Sequence, residues 1–360
     1  MEKEKHNNEE AAKYQLHYFH RKDIPELTAG ELEQESELIY ARLMQQQANL
    51  PKVRSMWIPA AAAAAVLLIA GLAFFYFSQS KVTAPAENQL VKVSDAEPGK
   101  HSATLMLANG KAILLSAIKE GKVAEQSGVT ISKTKENVLV YSANTDMSNP
   151  SEYNTIATAK GQEYSIVLPD GSKIWLNAAS SVKYPATFAS VKERIVELNG
   201  EAYFEIAKDK AHPFIVKTKG QQIKVLGTHF NVNSYADEKT TKTTLLEGSV
   251  QIKGVNDVLL KPGQQAVSTE NGLKVSKANL TESVAWKNGD FIFEEESLPS
   301  ILRQVSRWYD VEIVDPGNHD NLHLSGAISR SRKLSTVLKV LAGTSNLKFS
   351  IQGNKVFVTK

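Results

Sequence analysis

Ser180 and Lys183 stand three residues apart in the stretch "LPDGSKIWLNAASSVKYP", residues 168–185. A serine with a lysine at that spacing makes a nucleophile and its activating amine if the serine opens a helix and the lysine faces it one turn on. The chemistry would be acyl transfer, as in a membrane-anchored periplasmic serine hydrolase acting on cell-wall peptides. Against it, the spacing recurs at Ser78–Lys81 and Ser116–Lys119, and Tyr184-Pro185 follow directly and stop a helix. The Ser-Asp-Asn and Lys-Thr-Gly companions of such a site are missing. No catalytic residue is assigned here.

A second chemical candidate is Gly227-Thr228 in "VLGTHFNV". A hydroxyl directly after a peptide carbonyl can attack it where the backbone is strained, and water then cleaves the ester left by the N→O acyl shift. The competing reading is a glycine that bends a strand beside a threonine that favours β structure. The eight histidines are scattered. His319 and His323 fall in a loop and a strand, and His17 and His20 lack a third ligand, so no metal site is expected. Glu294, Glu295 and Glu296 precede a helix, where their charge suits its dipole. No phosphate loop, dinucleotide fingerprint or nucleophile elbow is present, and no cofactor is expected.

The elements that would carry these residues follow from texture. The chain has 360 residues, no cysteine and a formal charge of +3. Disulfides, thiolate zinc sites and cysteine nucleophiles are thereby excluded, and the small charge without a basic stripe argues against direct nucleic-acid binding. From Met56 to Phe77 the run "MWIPAAAAAAVLLIAGLAFFYF" contains no charge. It is long enough for a transmembrane helix, with Trp57 at one end and Phe74 to Phe77 at the other as interfacial aromatics. A cleaved signal peptide is excluded, because a long polar segment precedes the run. Arg42, Lys52 and Arg54 before it and Lys81 and Lys92 after it give a slight bias towards a cytoplasmic N-terminus.

Residues 1–55 read as an α-helical segment. Thr28 and Glu31 are spaced as a capping box, and Leu32, Ile39 and Leu43, with Leu38 beside them, make an apolar seam. A segment this small either leans on a partner or is a loosely folded tether. Residues 78–100 are a polar linker. From 101 to 287 short alternating runs are punctuated by Asn109-Gly110, Asp170-Gly171, Asn199-Gly200, Pro262-Gly263 and Asn271-Gly272, pairs that supply the positive φ of tight hairpins. An all-β domain is expected, an antiparallel sheet folded on itself, sandwich- or solenoid-like. "ATLMLANGKAILLS" (103–116) repeats as "YSIVLPDGSKIWLN" (164–177), with Leu107, Gly110, Ile113 and Leu115 matching Leu168, Gly171, Ile174 and Leu176. A duplicated hairpin speaks for scaffold, structural or glycan-binding, rather than for a unique catalytic centre. Residues 288–360 change texture again to β-α-β-β-α-β, a small α+β domain. Its first helix has Ser297 as N-cap, Pro299 in the first turn and an apolar face of Leu298, Ile301, Leu302, Val305, Trp308 and Tyr309. Its second helix, "LSTVLKVLAG", ends at Gly343.

Several phrases now occur in order: "LPDGSKIWLNAASSVKYP", "VELNGEAYFEIAKD", "HPFIVKT", "VLGTHFNVNSY", "TTLLEGSVQI" and "LKPGQQAVS". The series resembles the periplasmic domain of FecR-type anti-sigma factors. The duplicated hairpin and "FIFEEESLPSILRQVSRWYDVEI…SGAI" are similar to the subfamily of Bacteroidota. The resemblance covers about residues 100–360; the N-terminal helices match only in placement and character. It implies a single-pass inner-membrane protein with a cytoplasmic N-terminus. Residues 1–55, through Leu32, Leu38, Ile39 and Leu43, would bind an extracytoplasmic-function sigma factor. The periplasmic part would sense the signalling domain of a TonB-dependent outer-membrane transporter. The terminal domain is similar to the short domain at secretin and TonB-transporter N-termini, which makes Leu298, Leu302, Trp308 and Tyr309 docking candidates. Some relatives are cut at a Gly-Thr in the position of Gly227-Thr228, which implies one-time processing rather than turnover.

Overall fold

The computed structural model describes residues 95–126, 128–143, 152–254, 256–317 and 319–360. The helical segment 1–55 with Leu32, Leu38, Ile39 and Leu43, the apolar run 56–77 and residues 78–94 lie outside the described residues. Among the described residues no helix is long and apolar enough to cross a membrane.

Among the described residues between Lys100 and Lys277, nineteen strands form one continuous sheet. Their side chains alternate between inside and outside, as in Val250–Lys253, where Val250 and Ile252 are buried and Gln251 and Lys253 exposed. That period of two gives every strand one apolar face to hide, and the sheet hides it by folding over itself. One layer runs from the hairpin Thr104–Met106/Ala112–Leu114 through Tyr153–Ala157 and Ser181–Pro185 to the first half of Arg194–Glu205. It continues through Phe214–Thr218, Gln221–Val225 and Val250–Lys253 to Val258–Leu260. The other runs from Gly121–Gln126 through Val129–Lys133, Leu139–Ala143, Gln162–Val167 and Lys173–Leu176 to the second half of Arg194–Glu205. His229–Ser234, Thr241–Glu247, Gln264–Thr269 and Gly272–Lys277 complete it. Leu105, Ile156, Val182 and Ile223 of the first layer and Ile131, Ile166, Phe204 and Val232 of the second are fully buried in one cluster. The hydroxyls of Tyr141 and Tyr184 meet across it at 2.7 Å.

The repeated hairpin is repeated in its bonds. Leu107 N donates to Lys111 O at 3.0 Å and Gly110 N to Leu107 O at 2.9 Å, while Leu168 N donates to Ser172 O at 2.8 Å and Gly171 N to Leu168 O at 2.9 Å. The copies sit in opposite layers. Two of the expected hairpin turns are something else. Asn199-Gly200 lies inside the twelve-residue strand Arg194–Glu205, at the point where it leaves one layer for the other. Pro262-Gly263 turns the corner between strands of opposite layers. The dipeptide signals a backbone kink in both places, and only the pairing partners decide whether a kink closes a hairpin. The sheet also contains parallel pairs, of Lys100–His101 with Gln162–Glu163, Leu139–Val140 with Ile166–Val167, and Arg194–Glu197 with Phe214–Lys217. The expectation of a purely antiparallel sheet is corrected on that point.

The terminal domain runs Asp290–Ser297, helix Leu298–Tyr309, Glu312–Val314, His323–Ser329, helix Leu334–Ser345, Lys348–Gln352 and Lys355–Thr359. This is the expected β-α-β-β-α-β order, with the closing hairpin "LKFSI"/"KVFVT" counted as two strands. The strands split into an antiparallel pair, Asp290–Ser297 with His323–Ser329, and a three-stranded sheet with Lys355–Thr359 in its centre. Ser297 stands at the N-cap without a capping hydrogen bond from its side chain. Gly343 lies within the second helix, which stops at Asn346, a residue with φ +55°; asparagine tolerates the left-handed turn that ends a helix.

Candidate functional site

Ser180 is 3 % exposed and immediately precedes the strand Ser181–Pro185. Along an extended chain residues i and i+3 point to opposite faces, so Ser180 turns inward while the Lys183 side chain is 47 % exposed, 3.7 Å from Glu197. The serine oxygen accepts the Glu201 N–H at 2.9 Å and lies 3.2 Å from Ala178 O and 3.3 Å from the Tyr235 hydroxyl. A Cβ on Gly200 would come within 2.4 Å of it. This hydroxyl holds a layer crossing together, and Lys183 is on the wrong face to activate it.

Gly227-Thr228 is also a crossing, between Gln221–Val225 in one layer and His229–Ser234 in the other. Gly227 has φ +140°, and a Cβ there would lie 2.8 Å from Lys208 Cα. Thr228 is 3 % exposed; its hydroxyl donates to Ser249 O at 3.1 Å, and its carbonyl accepts Ile206 N–H at 3.0 Å. The dipeptide is therefore a left-handed glycine pressed against the Lys208 backbone, followed by a hydroxyl in a fixed direction.

Leu298, Leu302, Trp308 and Tyr309 are at most 5 % exposed. The two leucines fill the terminal domain's core, Trp308 Nε1 donates to Arg330 O at 2.9 Å, and the Tyr309 hydroxyl donates to Arg332 O at 2.6 Å. The docking role comes from the resemblance of this domain to the secretin and TonB-transporter short domain, but here the helix spends its apolar face on its own domain. These four residues present nothing to a partner.

The polar side of the same helix meets the sandwich. Arg307 is 6 % exposed, with its guanidinium 3.9 Å from the Tyr235 ring centre, 3.1 Å from Asp237 Oδ2 and 2.9 Å from Glu238 Oε1. Arg303 also pairs with Glu238. From the second connection of the domain, Arg330 stacks 3.6 Å from the Trp308 ring and donates to Trp286 O at 2.8 Å and Asn177 Oδ1 at 2.9 Å. Behind them Glu201 accepts from Asn177 at 2.8 Å and Asn231 at 2.9 Å. Burial pushes the Glu201 carboxyl up, against the pull of those amides and of Arg307 and Arg330. Buried charges persist only when paired and hydrogen-bonded, and for Arg307 the carboxylates of Asp237 and Glu238 meet that condition across the two domains. Arginines on the polar side of a short helix carry no one-dimensional sign of burial, which is why sequence reasoning passed over them.

Beside the seam opens a groove of about 340 Å³, lined by Asn231, Lys242, Glu282, Glu296, Gln304 and Arg307 among others. Burial, then the neighbouring Glu296 carboxylate, pushes Glu282 up to about 7. Among the described residues no group of three or more His, Cys, Asp or Glu side chains could hold a metal ion.

Two family models match the chain: "FecR protein" over residues 154–251 and "FecR, C-terminal" over residues 290–358. Two crystal structures of a candidate anti-sigma factor from Parabacteroides distasonis are similar. One has 26 % identity and a TM-score of 0.55, covering 58 % of this chain and 99 % of that one. The other has 27 % identity and the same TM-score of 0.55, covering 57 % and 98 %. Among curated proteins none matches.

Proposed function

This chain belongs to the FecR-type anti-sigma factors, and from that premise we propose that it is a single-pass inner-membrane signal transducer. Residues 56–77 span the bilayer, residues 1–55 hold an extracytoplasmic-function sigma factor in the cytoplasm through Leu32, Leu38, Ile39 and Leu43, and the described domains face the periplasm. The observation that carries this reading is the order of parts: an uninterrupted apolar run, then the FecR domain, then its C-terminal partner. The chain itself does not bind nucleic acid; it acts through the sigma factor.

The periplasmic ligand is the signalling domain of a TonB-dependent transporter. With the helix face occupied, the supporting feature is the strand His323–Ser329, which among the described residues pairs on one side only and exposes Ser325, Gly326 and Ala327. An unpaired edge of this kind accepts a partner's strand through its backbone. The test of the whole reading is co-purification of residues 1–55 with a sigma factor, together with suppression of that factor's transcription. If the segment captures no sigma factor, the reading fails.

A one-time cleavage at Gly227-Thr228 is a second proposal, favoured by the left-handed Gly227 and the directed Thr228 hydroxyl. Thr228 Oγ1 adds to the Gly227 carbonyl carbon, the C–N bond breaks, and the hydroxyl proton passes to the departing nitrogen. Water then opens the ester to a Gly227 carboxylate and restores the threonine hydroxyl. A blot of the full-length protein beside Thr228→Ala decides it: two fragments from the wild type and one intact band from the variant support cleavage, and intact bands from both refute it.

A further inference from the structure

The last helix, Leu334–Ser345, begins without a cap of its own. Its N-cap position holds Lys333, whose side chain makes no capping bond, although helix starts favour Ser, Thr, Asp or Asn there. The cap comes from 240 residues earlier in the chain. Asp95 Oδ1 accepts the Ser335 N–H at 2.9 Å, and Asp95 Oδ2 accepts the Ser335 hydroxyl at 2.6 Å. Ala96 O accepts the Leu334 N–H at 3.1 Å. Glu97 pairs with Lys333 at 2.8 Å, and Ala96 packs on the terminal domain's core.

The chain then passes over Trp308 so closely that a Cβ on Gly99 would fall 2.5 Å from the ring. That ring has little freedom to move aside, since Arg330 stacks on it and takes its indole N–H. Next, Lys100 N donates to Gly161 O at 2.8 Å, and Gly161 N donates to Arg307 O at 2.7 Å. Finally Lys100 and His101 pair in parallel with Gln162 and Glu163. The first described stretch after the apolar run is thus held by the terminal domain before it enters the sandwich.

We propose that residues 95–101 are a releasable strap, through which the state of the terminal domain reaches the membrane-proximal chain. The inference rests on the reading of 56–77 as a membrane span. Docked, the strap completes the last helix and ties the linker to the Arg307–Arg330 seam. Released, it leaves the Leu334 and Ser335 amides without acceptors and frees the linker up to the sandwich. Any ligand that shifts the start of Leu334–Ser345 or the Trp308 ring works against the docked form, because both strap contacts are made there.

The experiment is hydrogen exchange on the full-length chain in detergent, comparing wild type with Asp95→Ala, Asp95→Asn and Gly99→Ala. Loss of the cap in Asp95→Ala speeds exchange at residues 334–337 about fivefold, while Asp95→Asn, an equivalent cap, leaves it near wild type. Gly99→Ala speeds exchange at Lys100 and Ser102 without touching the carboxylate, and the sandwich strand His229–Ser234 stays protected in every variant. Unchanged protection at 334–337 in Asp95→Ala overturns the strap. In cells, both release variants raise basal transcription by the sigma factor that residues 1–55 capture. A disulfide between Asp95→Cys and Ser335→Cys, in a chain with no other cysteine, returns the output of Gly99→Ala to the wild-type level until reductant is added. Equal output from wild type and both release variants overturns the transmitting role. If deleting residues 1–55 also leaves transcription unchanged, the anti-sigma reading has failed instead, and the exchange result stands apart from it.

Discussion

Replacing Arg307 by methionine tests whether the two described domains are held by one buried charge. The side chain is 7 % exposed and faces Asp237, which is 58 % exposed, and Glu238, which is 13 % exposed. Methionine keeps much of the aliphatic packing and removes the charge. Asp237 is then hydrated and its loss counts for little. Glu238 is not, but Arg303 still pairs with it, so the penalty falls at the lower end of the ~3–5 kcal/mol found when a buried pair loses one partner. The contact of the guanidinium with the Tyr235 ring, 3.9 Å away, is part of the same loss, and an attraction of about 2 kcal/mol is usual for a desolvated cation over an aromatic face. We expect Arg307→Met to destabilise the folded chain by about 3 kcal/mol. The assay is denaturant unfolding of the full-length protein, with Trp286 and Trp308 at the seam as reporters. Because neighbours do not add, the double variant with Glu238→Gln should show a coupling of at least ~1 kcal/mol. A loss below about 1 kcal/mol, or additive single changes, would refute the claim that this charge joins the domains.

Further outcomes follow from the same geometry. Ser180→Ala should lower stability by about 1–3 kcal/mol, because the buried Glu201 N–H loses its acceptor; a penicillin-type acylating probe should label neither wild type nor variant. Gly200→Ala should be more damaging still, since its φ of +96° and the 2.4 Å approach to Ser180 both exclude a Cβ, and thermal unfolding would register the loss. Glu282, whose carboxyl is held at about 7 in the fold, binds a proton more tightly folded than unfolded. Its contribution is therefore complete below the ordinary glutamate range and disappears as pH rises through about 7. Glu282→Gln should accordingly raise the melting temperature at pH 8 and leave it nearly unchanged at pH 4, and equal shifts at both values would contradict the assignment.

Much of the architecture was legible in one dimension because it depends on local periods. Alternation in "VQIK" or "KIWL" exposes a strand's two faces, and the hydrophobic spacing of 298, 301, 302, 305, 308 and 309 exposes a helix. Asn109-Gly110 and Asp170-Gly171 announce their turns because the left-handed backbone needs glycine at each, and the repeat was visible because both copies obey the same need. The family, too, was legible from phrases in order. What pairs with what was not. Asn199-Gly200 carries the same local signal as a hairpin and is instead a crossing between layers, a difference made by Ser180 twenty residues away. Leu298, Leu302, Trp308 and Tyr309 were docking candidates only through the resemblance of their domain to the secretin and TonB-transporter short domain; their amphipathic spacing states that a face must be buried, not against what. Nothing local marks Arg307 or Arg330 for burial, because their partners at Tyr235, Glu238, Trp286 and Asn177 come from distant segments that only the fold brings together. The cap of the last helix is the clearest case: Lys333 argues against a helix start there, and Asp95, 240 residues before Ser335, permits it. Sequence determines the elements, because their periods are written in neighbouring residues; tertiary structure alone assigns their partners, because desolvated charges and unpaired amides are satisfied by whatever the chain brings within 3 Å of them, at any separation along it.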